Sequence, residues 1–298
     1  MYPWLEESFL QLGARAQNSS LHHALLIKGP VGIGKTDFSY QLAKSILCKS
    51  DTQKPCGKCQ SCLLFDAQSH PDLHQVASEK QLGVDLIRDA IQKLSSKAHL
   101  SGNKVLIIEQ AESMTESAAN ALLKTLEEPT ENTFIFLVSA FPERLLPTII
   151  SRCEKVNLYA PSFTLCKQWL ESQNIPGVNE DIIRIYGQCP LKIKEQLATK
   201  DGISFTDFAN SIVQLRQAQV SSLTLAETWQ KEAEQVVLWL QYELSKLAMT
   251  GLANNSLWAL EDKLIKASIA LQNPGVNRLL ILSDMLTDFG SLMRQQTN

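Results

Sequence analysis

The chain has 298 residues, of which 44% are apolar and 20% charged, and its formal net charge is −3. This is an ordinary globular composition, and the length allows two or three domains. The charge argues against tight, independent binding of nucleic acid, because such proteins usually carry a basic face. The chain does not begin with the basic and apolar segments of a secretory signal, and no run approaches 18 apolar residues. We therefore expect a cytoplasmic protein without a membrane segment.

The first half of the chain alternates short apolar runs with segments of helical length. The five runs are Ala24 to Ile27, Asp72 to Val76, Val105 to Ile108, Phe134 to Val138 and Val156 to Leu158. Segments of helical length, such as 36–47 and 84–98, lie between the stronger runs. This alternation predicts an α/β fold in which helices cover both faces of a five-stranded parallel sheet.

Beyond Ala160-Pro161-Ser162 the apolar residues recur at helical spacing and the strand-like runs stop. Helices are predicted at about 204–219, 225–249, 256–272 and 277–293. Their large apolar residues are expected to pack in a core or between helices; they include Trp229, Trp239, Trp258, Leu260 and Leu264. We predict three domains: an α/β domain over 1–160, a small helical domain over 161–202 and an all-α domain over 203–298.

A glycine-rich motif follows the first predicted strand and precedes a predicted helix. Residues 29–36 fit G-x-x-x-x-G-K-[ST], the P-loop pattern. The residues that carry it are Gly29, Gly32, Gly34, Lys35 and Thr36. The glycines let backbone N–H groups turn toward an anion, while Lys35 would meet phosphates and Thr36 would hold Mg²⁺. The candidate ligand is ATP or ADP with Mg²⁺; the alternative is a glycine-rich turn without a ligand.

The acidic residues that a P-loop ATPase needs are altered. The strand that ends at Ile108 is followed by Glu109 and Gln110, where an Asp for Mg²⁺ and a Glu for the attacking water are required. Glu109 is one methylene longer than Asp, and Gln110 is neutral and cannot act as a base. We expect hydrolysis to be slow or absent. Glu112 is also acidic, but we expect its side chain to point elsewhere.

Four cysteines are clustered between the first helix and the second strand. Cys56, Cys59 and Cys62 form C-x-x-C-x-x-C, and Cys48 lies eight residues upstream. In a reducing compartment such a cluster indicates a metal site rather than disulfides, and the spacing suits tetrahedral Zn²⁺. We predict a structural zinc module over about 48–62. His70 is interpreted as a turn residue, because four thiolates already complete the site.

Two segments resemble the bacterial clamp-loader ATPases of the AAA+ family. The first is N-A-L-L-K-T-L-E-E-P at 120–129, which is also an amphipathic helix ended by Pro129. The second is S-R-C at 151–153. The resemblance implies an AAA+ P-loop domain that carries the zinc module, then a helical lid domain, then a C-terminal collar domain for oligomerisation. It also implies that Arg152 acts as an arginine finger at the ATP site of an adjacent subunit; taken alone, Arg152 would be interpreted as part of an ordinary surface or interdomain salt bridge.

Within that family the chain is more similar to the delta-prime branch than to the motor subunits. Gln110 replaces the catalytic glutamate, Leu191 lies where motor subunits have a lid arginine, and the start Tyr2-Pro3-Trp4-Leu5 resembles the delta-prime opening. Lys192 would point about 100° away from the arginine position. The branch implies a place beside gamma/tau and delta subunits in the five-subunit clamp loader of DNA polymerase III. It also implies action on the sliding clamp and, through the complex, on primed DNA.

Two other functions stay open. A catalytically active gamma/tau-type motor would hydrolyse ATP as an isolated chain, and Gln110 and Leu191 argue against it. A zinc-containing DNA-binding module with a vestigial P-loop would bind DNA tightly and in a salt-sensitive way, and the net charge argues against that function.

Overall fold

The computed structural model describes residues 1–50, 54–78, 80–100, 102–198, 202–249, 255–273 and 275–295. Its strands are β1 (Ala24–Lys28), β2 (Leu73–Val76), β3 (Lys104–Ile108), β4 (Thr133–Ser139) and β5 (Glu154–Asn157). They form one sheet in the order β2-β3-β4-β1-β5, and every neighbouring pair is parallel. The five predicted strands are confirmed, with bounds that differ by one or two residues.

Six helices accompany this sheet. They are α1 (Glu6–Gln17), α2 (Lys35–Leu47), α3 (Gln60–Asp66), α4 (Val84–Leu94), α5 (Glu116–Glu127) and α6 (Pro147–Ile150). The prediction that α4 extends to residue 98 is wrong. The buried Lys104 Nζ donates to the carbonyls of Leu94 at 2.5 Å and Ser96 at 2.8 Å, so the chain turns around this ammonium group instead of continuing the helix.

The sheet is buried on both faces. Leu25 and Ile27 pack with α1 and α2 on one face, whereas Ala24 and Leu26 pack with α4 and α5 on the other. Successive strand residues point to opposite faces, so a strand covered on both faces is apolar at nearly every position. The predicted arrangement of helices on both faces is confirmed.

The chain divides into two compact units. The first comprises Met1–Trp169 and Gln188–Ile193, and the second comprises Leu170–Gly187 and Lys194–Asn298. The remaining helices are α7 (Phe163–Ser172), α8 (Glu180–Ile185), α9 (Pro190–Ala198), α10 (Phe205–Arg216), α11 (Ser222–Trp229), α12 (Ala233–Met249), α13 (Asn255–Leu271) and α14 (Arg278–Gln295). Helices α7 and α9 each contribute to both units. The three-domain division at 160 and 202 stays a prediction.

The second unit is helical throughout its described residues and has an aromatic core. Trp239 is 1% exposed, and its ring centroid lies 5.4 Å from that of Phe205 and 5.1 Å from that of Phe208. The predicted burial of Trp229 and Trp239 is confirmed, but that of Trp258 is wrong, because its side chain is 55% exposed.

The continuous helix predicted over 225–249 is also wrong. A short 3₁₀ turn at Gln230–Glu232 separates α11 from α12. At 100° per residue, a continuous helix would place Trp229 and Trp239 about 80° apart, and the turn resets the helical phase so that both rings contact Phe208. No helix in the described part of the chain is both long enough and apolar enough to cross a membrane.

Candidate nucleotide pocket, metal centre and arginine site

A pocket of about 540 Å³ opens at the carboxyl ends of β1, β3 and β4, the edge where parallel sheets usually bind ligands. Its lining residues are Val31, Gly32, Gly34, Lys35, Thr36, Asp37, Glu109, Gln110, Glu112, Ser113, Val138, Ala140, Phe141, Arg144 and Leu191. The structure therefore brings most of the predicted P-loop residues and both altered acidic positions into one pocket.

The P-loop retains the backbone shape that binds anions. Gly32 and Gly34 have φ values of +82° and +89°, a region that favours glycine. Gly34 is followed by the first turn of α2. Within the described residues, the N–H groups of Gly34, Lys35 and Thr36 donate to no protein acceptor. These groups and the positive end of the helix form a nest suited to phosphate or another anion.

Other segments of the same unit cover the loop. The N–H of Leu191 donates to the Gly32 carbonyl at 3.0 Å, and a Cβ on Gly32 would lie 2.5 Å from the Cβ of Lys192. The ring of Tyr2 lies so close to Gly34 that a Cβ there would be 2.4 Å from it. The Tyr2 hydroxyl donates to Asp37 at 2.6 Å. The N-terminus and the start of α9 therefore restrict access to the loop.

The P-loop lysine is turned toward its own backbone. Lys35 is 9% exposed, and its Nζ donates to the Pro30 carbonyl at 2.8 Å. Burial lowers the pKa of Lys35, while the nearby Glu112 carboxylate acts in the opposite direction. One of the three N–H donors of the ammonium group is thus directed at the Pro30 carbonyl instead of a phosphate.

Glu109 occupies the predicted metal-binding position but already has two partners. Its Oε1 accepts hydrogen bonds from Gln75 Nε2 at 2.6 Å and from the Tyr40 hydroxyl at 3.2 Å. Gln110 adopts a left-handed backbone with φ +47°, which breaks the direction of β3. The pocket therefore has no base at Gln110, and one carboxylate oxygen of Glu109 is already bonded within the protein.

The expectation that Glu112 points elsewhere is wrong. Glu112 lines the pocket, its Oε1 accepts from the Ala140 N–H at 3.0 Å, and its Oε2 is buried with no hydrogen-bond partner in the described structure. The left-handed Gln110 and the 3₁₀ turn at Ala111–Ser113 bring the chain back toward the sheet. Strand alternation does not hold across such a turn, so sequence spacing could not place this carboxylate.

The four predicted metal ligands meet in space. The sulfurs of Cys48, Cys56, Cys59 and Cys62 all lie within 4.8 Å of one another. Cys48 Sγ is 3.9 Å from Cys59 Sγ, and Cys56 Sγ is 4.0 Å from Cys62 Sγ. Four sulfurs about 2.3 Å from Zn²⁺ would be separated by about 3.8 Å. The donor set fits a tetrahedral metal ion, and all seven cysteines are free of disulfides.

Backbone N–H groups converge on these sulfurs. Those of Cys56, Cys59 and Cys62 each donate to the sulfur of a preceding cysteine at 3.4 Å. At Cys59, burial would raise the pKa of the thiol, but N–H donors outweigh it and lower the pKa to about 6. Burial raises the pKa of Cys62 to about 12. A divalent cation would compensate the thiolate charge that this arrangement concentrates.

Arg152 lies outside the pocket lining. Its Nε donates to Glu127 Oε1 at 2.7 Å, its guanidinium forms an ion pair with the same carboxylate, and its Nη1 donates to the Thr148 carbonyl at 2.9 Å. The side chain is 35% exposed. The intramolecular salt bridge predicted as the alternative is thus present, and the side chain that forms it is partly exposed.

Comparison with known proteins identifies the family. The family model described as DNA polymerase III, delta subunit matches residues 5–162. A protein named DNA polymerase III subunit delta' from Pseudomonas aeruginosa is 35% identical over 237 residues, which cover 77% of this chain and 71% of the relative. The chain belongs to the DNA polymerase III delta-subunit family. The resemblance stated from the N-A-L-L-K-T-L-E-E-P and S-R-C segments is confirmed.

Other members of the family match over a shorter segment. Proteins named DNA polymerase III subunit delta' from Haemophilus influenzae and Escherichia coli (strain K12) are 42% and 43% identical over 176 residues. These matches cover 58% of this chain and 54% and 53% of the relatives, so the chain spans about half the length of these two relatives.

A solved structure supports the fold class. A DNA polymerase III gamma subunit-related protein from Thermotoga maritima aligns with 97% of this chain and 100% of its own, with a TM-score of 0.51 and 19% identity. At that identity the likeness concerns the fold alone. Together with the parallel sheet and the C-terminal helices, it confirms the predicted fold class, an α/β domain with a five-stranded parallel sheet followed by helices.

Proposed function

We propose that this chain is the non-hydrolysing delta-prime subunit of a clamp loader and that it supplies Arg152 to the ATP site of a neighbouring motor subunit. The family membership supports the clamp-loader role. The proposal that this subunit does not hydrolyse ATP is supported by one observation above all: neutral Gln110 lines the pocket at the position of the base.

Four further hydrogen bonds support the loss of hydrolysis. Lys35 is bonded to Pro30, Oε1 of Glu109 accepts from Gln75 and Tyr40, and Oε1 of the half-buried Glu112 accepts from Ala140. Catalytic groups must lie within about 0.5 Å of the productive geometry. A nucleotide that entered the pocket would meet the anion-binding N–H groups without a group placed to activate water. Bound ATP or ADP would therefore serve as an optional structural ligand.

The surroundings of Arg152 support a role in trans. A partly exposed ion pair such as Arg152–Glu127 contributes only about 0–1 kcal/mol, so the guanidinium can exchange Glu127 for a phosphate with little loss. Arginine offers a planar fork of donors and keeps its charge, which suits the charge that develops on a transferred phosphoryl group. Glu127 would hold the side chain ready in the isolated subunit.

The proposed assembly contains gamma/tau and delta subunits, and the helices of the second unit would hold this subunit in the five-membered complex. Through that complex the subunit would act on the sliding clamp and on primed DNA in the cytoplasm. The four-cysteine cluster would bind one structural Zn²⁺, because its sulfur separations match a closed tetrahedral site and no fifth ligand is required.

The test is the ATPase rate of a reconstituted loader in the presence of clamp and primed DNA. Arg152→Ala should lower the rate at least about tenfold without preventing assembly, since arginine fingers contribute far more than surface pairs. Glu127→Ala should leave the rate within about fivefold of wild type. Arg15→Ala is the matched control, because Arg15 also pairs with a glutamate, Glu154, at similar exposure.

Normal turnover with Arg152→Ala would contradict the role in trans. ATP hydrolysis by the isolated chain would instead indicate a gamma/tau-type motor. Tight DNA binding by the isolated chain that weakens steeply with salt would indicate the zinc-containing DNA-binding module.

A further inference from the structure

A buried polar chain lies behind the cysteine cluster, formed by Ser61, His70 and Asp72. These residues are 1%, 5% and 1% exposed. Ser61 Oγ lies 2.6 Å from His70 Nε2 and 2.5 Å from the carbonyl oxygen of Leu47. Buried polar side chains are normally retained with all their partners in place, and here each partner can be assigned.

The hydrogen bonds of these residues can be donated in only one direction, from Asp72 through His70 and Ser61 to Leu47. The N–H of Asp72 donates to His70 Nδ1 at 3.1 Å, so Nδ1 is an acceptor and the neutral ring carries its proton on Nε2. Nε2–H therefore donates to Ser61 Oγ, and the single hydroxyl hydrogen of Ser61 is directed to Leu47. Burial lowers the pKa of His70, with Asp72 acting in the opposite direction, which agrees with a neutral ring.

The two ends of this polar chain lie at different parts of the fold. Leu47 immediately precedes Cys48 and Ser61 immediately precedes Cys62, so one hydroxyl joins the backbone before the first and the last cysteine. At the other end, the Asp72 carboxylate accepts from the N–H groups of His99 at 2.6 Å and Leu100 at 2.8 Å. His70 thus connects the cysteine cluster to the edge of the sheet.

We propose that His70 is a positioning residue for the four-cysteine site. By orienting the Ser61 hydroxyl, it fixes the backbone separation of Cys48 and Cys62 and so increases the affinity of the cluster for Zn²⁺. This inference rests on the proposed zinc site. Residues that orient metal ligands without touching the metal typically change its affinity by about 10- to 100-fold.

Two substitutions at His70 separate the two hydrogen bonds of the ring. In His70→Gln the longer amide can place its N–H₂ near the position of Nε2 and keep the bond to Ser61. In His70→Asn the shorter amide can place its oxygen near Nδ1 and keep only the bond from Asp72. Ser61→Ala removes the hydroxyl with the smallest change of volume. Ser39→Ala is the matched control, since Ser39 is also fully buried and its hydroxyl donates to a carbonyl, that of Thr36.

The experiment measures zinc content and zinc affinity of the full chain by competition with a chromophoric chelator, beside thermal unfolding of the metal-free proteins. Wild type should hold about one Zn²⁺ per chain. His70→Asn and Ser61→Ala should raise the zinc dissociation constant about tenfold or more. His70→Gln should stay within about threefold of wild type, and Ser39→Ala should be unchanged. The metal-free His70→Gln and His70→Asn proteins should unfold at similar temperatures. The difference between their zinc dissociation constants would then not reflect a difference in stability.

Different results overturn different parts of the proposal. Wild-type zinc affinity in both His70→Asn and Ser61→Ala would show that the hydrogen bonds of His70 and Ser61 do not affect zinc binding. Equal loss in His70→Gln and His70→Asn would show that packing of the ring matters and not its bond to Ser61. A wild-type chain without zinc in either measurement would overturn the metal site and the role of His70 together.

Discussion

The carboxylate of Glu112 distinguishes this P-loop pocket from one prepared for a nucleotide. It lies in the pocket with Lys35 and has a buried oxygen without a hydrogen-bond partner in the described structure. A phosphate that binds to the P-loop N–H groups would encounter the negative charge of Glu112. Like charges a few ångströms apart in a partly buried site repel by a few kcal/mol before solvent screening. Glu112 therefore opposes anion binding that the backbone otherwise favours.

We expect Glu112→Gln to raise the affinity of the isolated chain for both ATP and ADP by about tenfold, a screened effect of about 1.4 kcal/mol. ATP and ADP should bind within about threefold of each other, because Lys35, which would meet the γ-phosphate, is bonded to Pro30, and Glu109, which would support Mg²⁺, is bonded to Gln75 and Tyr40. Isothermal titration of each nucleotide measures this. Glu116→Gln, at an exposed position in the first turn of α5, is the control; equal nucleotide affinity for both variants would contradict the role of Glu112.

Individual residues were predictable where a motif fixes the local backbone. The P-loop glycines and the four cysteines follow from spacing, because turns and tetrahedral coordination impose that spacing. The direction of Glu112 was not predictable, since it depends on the left-handed backbone of Gln110. The hydrogen bonds that link Asp72, His70 and Ser61 also depend on tertiary structure. Their only signal in the sequence was a histidine close to a predicted strand.

At the scale of elements, the helices of the second unit show why apolar spacing alone misplaces a residue. Helix α13 has one buried stripe, formed by Leu257, Leu260, Leu264, Ala267 and Leu271. Trp258 lies one residue, or about 100°, from Leu257 and borders a groove between α12 and α13 that includes Met249 and Ile265. Both faces of this helix are apolar in sequence, and only the packing against α12 and α14 determines which one is covered.

The two tryptophans should differ accordingly in their contribution to stability. Trp239→Ala should lower the free energy of unfolding by about 3–5 kcal/mol, as expected for a fully buried aromatic residue. Trp258→Ala should lower it by less than about 1 kcal/mol, because more than half of that side chain is exposed. Urea unfolding followed by far-UV circular dichroism measures the free energy of unfolding of both variants, each of which lacks one tryptophan. A similar loss in both variants would show that Trp258 belongs to a core.

At the scale of the whole molecule, the order of the strands brings distant segments to one edge. β1 lies between β4 and β5, and β3 lies beside β4, so the P-loop, Glu109 and Ala140 meet although more than a hundred residues separate the first from the last. Alternation of strands and helices predicts such an edge. It does not predict which surface segments cover the edge, and the contacts of Tyr2 and Leu191 with the P-loop arise only in the folded chain.

The division into two units predicts how far the effect of the metal extends. The cysteine cluster is joined to α2 through Leu47 and to the start of β2 through His70 and Asp72, all within the first unit. The second unit has its own core around Trp239. Since metal binding stabilises the segments that carry its ligands, chelation should loosen α3 and the chain from residue 54 to 72 and leave α10 to α14 unchanged.

Hydrogen-exchange mass spectrometry with and without EDTA tests this expectation. Deuterium uptake should rise in peptides from 54–72 and remain the same in peptides from α10 to α14. The Cys59→Ser variant is the control: its 54–72 peptides should exchange rapidly from the start and respond little to EDTA, since three thiolates hold Zn²⁺ less tightly than four. A rise across α10 to α14 would mean that the cluster stabilises both units, and the metal would then be a determinant of the whole fold rather than of one module.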